Sequence, residues 1–167
     1  MPINSKRPTV LVIDDEQFNL SLMDGVLNKN YDVVKASNGP EALELAFATP
    51  PDLILVDVMM PVMDGFEVCR RLKENAATMH VPVIFVTAKN EIKDEELGFS
   101  VGASDFIHKP ISAPIVSARV RTHLKIKFMQ DYLRNENSML LANASEKSAE
   151  LQQLKDFMWR TTPFSRR

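Results

Sequence analysis

The chain has 167 residues, 45% of them hydrophobic and 25% charged, with a formal net charge of −2 and one cysteine. That composition can build a real core and excludes wholesale disorder; a lone thiol excludes an internal disulfide framework and a multi-cysteine zinc site. The near-neutral total is a sum of opposites. Residues 1–114 hold 10 basic and 17 acidic side chains, a balance of −7, whereas residues 115–167 hold 10 basic and 5 acidic, a balance of +5.

Residues 1–8 are polar and lack the apolar run of a signal peptide. No stretch approaches the roughly 18–20 apolar residues that span a bilayer, so the reading is cytoplasmic with no membrane contact. From there two periods alternate. A strand is predicted at 9–13, a helix at 17–28, a weaker strand at 31–36 and a helix at 40–48. A strand at 53–56, a helix at 65–74, a strand at 83–86, a helix at 92–101 and a short strand at 105–108 follow. Strands that are apolar on both faces belong in a parallel sheet covered by helices on each side. The fold class is therefore α/β, a doubly wound five-stranded parallel sheet. Asn38-Gly39-Pro40, Pro50-Pro51 and Asp64-Gly65 punctuate it where turns are needed.

Beyond Ser112 glycine is absent as far as Trp159, and one helix of about 45 residues is predicted, about 65–70 Å long. Its first third carries Ile115, Val116, Val120 and Leu124 and can pack on the sheet. Beyond Lys125 a seven-residue spacing emerges: Ile126, Leu133, Leu140, Lys147 and Leu154 as d positions, with Gln130, Asn137, Ala144, Leu151 and Met158 as a positions. Asn137 at an a position would favour a parallel two-stranded coiled coil; the competing reading is a solvated single helix. The expected organisation is a domain at 1–124, an extended helix at 125–160 and a disordered tail at 161–167.

Ligands of open parallel sheets gather outside the carboxyl ends of the strands. The first strand runs into Asp14-Asp15-Glu16, the third into Asp57, the fourth into Thr87-Ala88 and the fifth into Lys109-Pro110. Three converging carboxylates repel at neutral pH unless a cation joins them. A hard divalent ion with oxygen ligands suits them, and Mg²⁺ suits a site that also holds phosphate oxygens. A carboxylate nucleophile, a magnesium site, a hydroxyl and a lysine together describe phosphoryl transfer to an aspartate.

Five segments carry this reading: Val10-Leu11-Val12-Ile13-Asp14-Asp15-Glu16, Leu53-Ile54-Leu55-Val56-Asp57, Met60-Pro61-Val62-Met63-Asp64-Gly65, Val86-Thr87-Ala88 and Lys109-Pro110. In this order and spacing they resemble the receiver (CheY-like) domain of bacterial two-component response regulators. The resemblance implies a flavodoxin-like strand order 2-1-3-4-5. It implies Asp57 as phosphoacceptor from a sensor histidine kinase or phosphotransfer protein. Asp14, Asp15, Asp57 and the Met59 backbone carbonyl would hold Mg²⁺, Thr87 would bind the phosphoryl group and Lys109 would neutralise it. Thr87 and Phe106 would form the switch, and Lys109-Pro110 would be cis. Met59 and Lys89 stand where the family tunes phosphate lifetime. Homodimerisation through the α4-β5-α5 face, the C-terminal helix, or both is also implied. Phe18-Asn19-Leu20, the stretch 110–116 and the stretch 118–124 resemble receivers joined to cyclic-di-GMP enzymes through a signalling helix. No motif of such an enzyme follows, so the chain itself is read as a non-enzyme: either the output part is cut away or the regulator stands alone.

Other classes fit less well. A haloacid-dehalogenase-type phosphomonoester hydrolase needs a second aspartate two residues after the nucleophile, where Met59 stands. A scaffold that uses the receiver fold only for interaction would be announced by loss of the acidic pair, Thr87 or Lys109, and all are present. The basic charges of the tail are scattered along one helix with no second helix to make a helix-turn-helix, which disfavours nucleic acid. Cys69 reads as a packed thiol, His80 as a loop residue, His123 as a surface or interface residue, and Met59, Met60 and Met63 as loop packing. Gly25 lies inside a predicted helix, at a cost of about 1 kcal/mol relative to alanine, without an evident reason.

Overall fold

The computed structural model describes residues 6–88 and 92–161. They form β1 (Thr9–Ile13), α1 (Gln17–Leu27), β2 (Asp32–Ala36), α2 (Gly39–Ala48), β3 (Leu53–Asp57), α3 (Gly65–Glu74), β4 (Val83–Thr87), α4 (Ile92–Ser100), β5 (Asp105–His108) and α5 (Ala113–Thr161). The strands pair in parallel in the order β2-β1-β3-β4-β5. The expected topology is therefore found, with element ends displaced by one or two residues. Lys89, and positions 162–167 of the expected disordered tail, lie outside the described residues.

Two compact units divide the chain, Met1–Lys127 and Phe128–Arg167. In the first, the alternation of side chains along each strand feeds two cores. Leu11, Ile13, Ile54, Val56, Val83 and Phe85 pack with Ala42, Leu43 and Ala46 of α2 and Val68, Cys69 and Leu72 of α3. On the other sheet face, Val10, Val12, Leu53, Leu55, Ile84 and Val86 pack with Leu20, Met23 and Leu27 of α1 and Val116, Val120 and Leu124 of α5. Each Val, Leu, Ile, Phe or Met among them contributes roughly 1.5–3 kcal/mol when fully buried. Among the described residues no buried side-chain nitrogen or oxygen lacks a partner.

Local chemistry starts the helices where the sequence signals them. Asn38 Oδ1 accepts the Glu41 N–H at 2.8 Å and the Glu41 carboxylate returns to the Ser37 N–H at 2.9 Å, a reciprocal cap on α2. Asp64 Oδ1 accepts the Glu67 N–H at 2.9 Å and caps α3. At the amino ends of β1 and β3 Asp52 accepts the Thr9 N–H at 2.8 Å and pairs with Lys127 at 3.2 Å, tying this part of α5 to both strands. In the second unit α5 continues to Thr161, and no described residue from 128 to 160 is buried. Leu133, Leu140, Leu151 and Leu154 of the heptad pattern are all exposed. No described helix is long and apolar enough to cross a membrane.

Candidate functional site

Asp14, Asp15 and Asp57 stand at the carboxyl ends of neighbouring strands because β1 and β3 pair directly, Ile13 opposite Val56. One oxygen of each lies within 4.8 Å of the others. Asp14 and Asp57 are buried and Asp15 is exposed, so the cluster opens to solvent on one side. All three donors are carboxylate oxygens at strand termini with one exposed rim, which suits a hard divalent cation that keeps part of its water shell.

Lys109 enters from the end of β5. Its Nζ donates to Asp57 Oδ2 at 3.0 Å and to Asp14 Oδ2 at 3.2 Å. The Lys109-Pro110 bond is cis, as expected, and the Lys109 N–H donates to the Thr87 carbonyl at 2.9 Å. The other carboxylate oxygens are held by the backbone. Asp57 Oδ1 accepts the Met59 N–H at 3.1 Å, and Asp14 Oδ1 accepts the Glu16 N–H at 2.9 Å.

These contacts set the protonation states. Burial pushes the Asp57 carboxyl above its ordinary value of 3.8, while the Lys109 ammonium and the Met59 N–H pull it back and the Asp14 charge pushes it further up. Burial disfavours the Lys109 ammonium, but the Asp57 and Asp14 carboxylates outweigh it and hold its pKa above the ordinary 10.5. Lys109 thus stands as a cation between the Asp57 and Asp14 carboxylates.

Thr87 closes β4, is 1% exposed, and lies one residue beyond Val86, the partner of Asp57 across the sheet. Phe106 of β5 is buried against Phe85 and Phe99. Met59 is exposed in its side chain and reaches the cluster through its backbone. The structure therefore brings Asp14, Asp15, Asp57, Lys109 and the Met59 backbone into one cluster. It sets Thr87 on the adjoining strand end and Phe106 beneath, on β5.

Two features escaped the sequence. Gly65 is more than a turn residue: a Cβ there would stand 2.4 Å from the Asp57 carbonyl oxygen and 2.9 Å from Val58 Cα, so α3 begins in contact with the acceptor strand. The Gly65 N–H donates to the Val58 carbonyl at 2.9 Å in the same approach. The adjoining Asp64-Gly65 pair signalled the cap but not this contact. His123, read from the sequence as a surface or interface residue, hydrogen-bonds the Asp105 carboxylate at 2.9 Å, beside Arg119 at 2.7 Å. That trio joins β5 to α5 over a separation no local pattern records. Cys69 is fully buried, and burial pushes its thiol up to about 11, in keeping with a packed side chain.

Comparison with known proteins supplies the context. The family described as "Response regulator receiver domain" matches residues 10–121. A Vibrio cholerae protein named "Probable cyclic di-GMP phosphodiesterase" is 41% identical over 148 residues, covering 89% of this chain and 34% of that protein. "Response regulator PleD" of Caulobacter vibrioides is 44% identical over 130 residues, 77% of this chain and 29% of its own length. The chain thus spans about a third of the length of these relatives. Among solved structures, chemotaxis protein CheY4 of Vibrio cholerae superposes with a TM-score of 0.67 at 28% identity, covering 69% of this chain and 97% of that one.

Proposed function

The chain belongs to the response regulator receiver domain family, and on that premise we propose that it accepts a phosphoryl group onto Asp57 from the phosphohistidine of a sensor histidine kinase or phosphotransfer protein. The observation that carries this reading is the Asp14-Asp15-Asp57 cluster, with the Lys109 ammonium 3.0 Å from Asp57. An Asp57 carboxylate oxygen bonds to phosphorus as the phosphorus–nitrogen bond breaks. The electron pair of that bond stays on the departing imidazole. Lys109 offsets charge on the phosphoryl oxygens, and the Thr87 hydroxyl donates to one of them. Asp14, Asp15, Asp57 and the Met59 carbonyl would hold Mg²⁺, which supplies further charge neutralisation for the phosphoryl oxygens. Hydrolysis of the acyl phosphate resets the protein.

The output follows from coupling. Thr87 drawn toward the phosphoryl group favours the buried position of Phe106, and the face of α4, β5 and α5 changes with it. Two copies then associate through that face and through the heptad stripe of α5. Similarity to a relative named for cyclic di-GMP phosphodiesterase supports cyclic di-GMP turnover as the regulated output, in a cytoplasmic setting. The test is labelling by acetyl phosphate with Mg²⁺. Asp57→Ala is expected to abolish it, and stoichiometric labelling of that variant would overturn the assignment. Light scattering with and without beryllofluoride and Mg²⁺ reads the dimer; unchanged mass together with unchanged chemical shifts would favour a scaffold.

A further inference from the structure

Phe106 lies against a notch in α4. Its ring centroid is 5.3 Å from that of Phe85 and 5.1 Å from that of Phe99, the latter edge-on. The third wall is Gly98. A Cβ on Gly98 would stand 2.3 Å from Phe106 Cζ, 3.0 Å from its Cε2 and 3.1 Å from Phe85 Cδ2. Carbon atoms do not approach to 2.3 Å, so a methyl group and this ring position are mutually exclusive.

Nothing in the backbone asks for glycine there. Gly98 lies within α4 and its φ is not in the left-handed region. Inside a helix glycine is disfavoured relative to alanine because it loses more conformational freedom on folding. The other helix-interior glycine, Gly25 of α1, has no atom within 4 Å of its ideal Cβ. Of these two glycines, Gly98 is the one whose missing side chain is matched by a neighbour that fills the space.

We propose that Gly98 is a positioning residue for the switch. Its absent side chain admits the Phe106 ring to its inward place, and Phe99, which meets that ring edge-on and is half-exposed, carries the ring's position to the surface of α4. The proposal rests on Phe106 being the switch aromatic. If the inward ring favours the phosphorylated form, excluding it must weaken binding of a phosphoryl analogue by the same factor.

The experiment uses the full chain and two readouts. In the unliganded protein, NMR cross-peaks between the Phe106 ring and the rings of Phe85 and Phe99 report whether the socket is filled; Gly98→Ala is expected to abolish them. Titration with beryllofluoride in Mg²⁺ reports the coupling. Gly98→Ala is expected to weaken binding on the order of tenfold, the scale of a small-to-large change in a packed site. Phe106→Leu removes the atoms the methyl would strike, so adding Gly98→Ala to it is expected to change affinity by less than about twofold. Where Gly98→Ala alone does not fold, Phe106→Leu is expected to rescue it. Intact cross-peaks in Gly98→Ala, an equal loss of affinity in both backgrounds, or no rescue overturns the proposal. If the parent chain binds no beryllofluoride, the phosphoacceptor reading fails, and the cross-peaks still decide the socket.

Discussion

The two units of this chain use side chains in opposite ways. In Met1–Lys127 apolar residues fill two cores, and the buried polar groups among the described residues are few and partnered: Asp14 and Asp57 share one lysine, and the Thr78 hydroxyl donates to the Leu72 carbonyl. In the described part of Phe128–Arg167 no residue is buried, yet Leu133, Leu140, Phe157 and Trp159 are large, apolar and exposed. Pairs one turn apart, such as Tyr132 with Glu136 and Lys147 with Glu150, stabilise that helix by only about 0.2–0.5 kcal/mol each. The first unit is complete in itself, with two cores of its own, whereas the described part of the second leaves its apolar side chains without a core. The split of charge has the same origin. The acidic excess includes the carboxylates that converge on the site, and the basic side chains of the described part of α5 form no comparable cluster.

The contrast breaks most sharply at Lys109. It links two carboxylates of the first unit, so Lys109→Ala should slow acetyl phosphate labelling by about 10²–10³-fold, the scale of losing one preorganised charge-stabilising group. Self-association in the absence of phosphodonor should not change. Initial labelling rates at saturating Mg²⁺ check the first statement and scattering mass the second. Labelling that survives within a fewfold would mean that the cation between Asp14 and Asp57 serves stability alone.

The converse substitution tests the second unit. Leu133→Glu combined with Leu140→Glu places charges on the d stripe, which is exposed in the single chain. The monomer should keep its melting temperature and its labelling rate, while any dimer weakens by at least about tenfold. A lowered melting temperature at dilution would show that these leucines already have a core within one chain.

How far this was legible depended on whether residue type and strand position sufficed. Asp14, Asp57, Thr87 and Lys109 could be placed because each ends a strand and its chemistry is unusual there. The order of the sheet then follows from the family resemblance. Gly65, Gly98 and the Asp105–His123–Arg119 trio could not be read in that way. Their roles lie in distances between elements, 2.4 Å to the Asp57 carbonyl in one case and 2.3 Å to Phe106 in another, and no periodicity encodes them. The heptad pattern was legible, but a single chain leaves it exposed.

Asp105 offers a smaller effect with a defined pH signature. Burial disfavours its charge, but hydrogen bonds from His123, the Phe106 N–H and Arg119 outweigh that and hold its carboxyl below the ordinary 3.8. A carboxyl depressed on folding stabilises the protein above its unfolded pKa, and that contribution is lost as pH falls through the folded value. Asp105→Asn should therefore cost about 1–2 kcal/mol at pH 7, with the Arg119 share screened because that side chain is half-exposed. Urea unfolding of both proteins should give parallel stabilities above pH 5 and a narrowing gap below about 3.8. A gap independent of pH would show that packing, not charge, joins β5 to α5.

The smallest change separates a glycine with a structural use from one without. Gly25 lies on the exposed side of α1 with open space where a Cβ would be and no left-handed φ. Alanine there removes conformational freedom from the unfolded chain and meets nothing in the folded one. Gly25→Ala should therefore stabilise the first unit by about 1 kcal/mol without altering labelling. Because the receiver core is expected to unfold as one cooperative block, that gain should appear in its urea midpoint at unchanged slope. Gly98→Ala, the same chemical change in another helix of the same unit, is expected to act in the opposite direction on the switch. If Gly25→Ala instead destabilises, α1 is meeting something at Gly25 that the single chain does not contain, and the claim that the first unit is complete in itself fails.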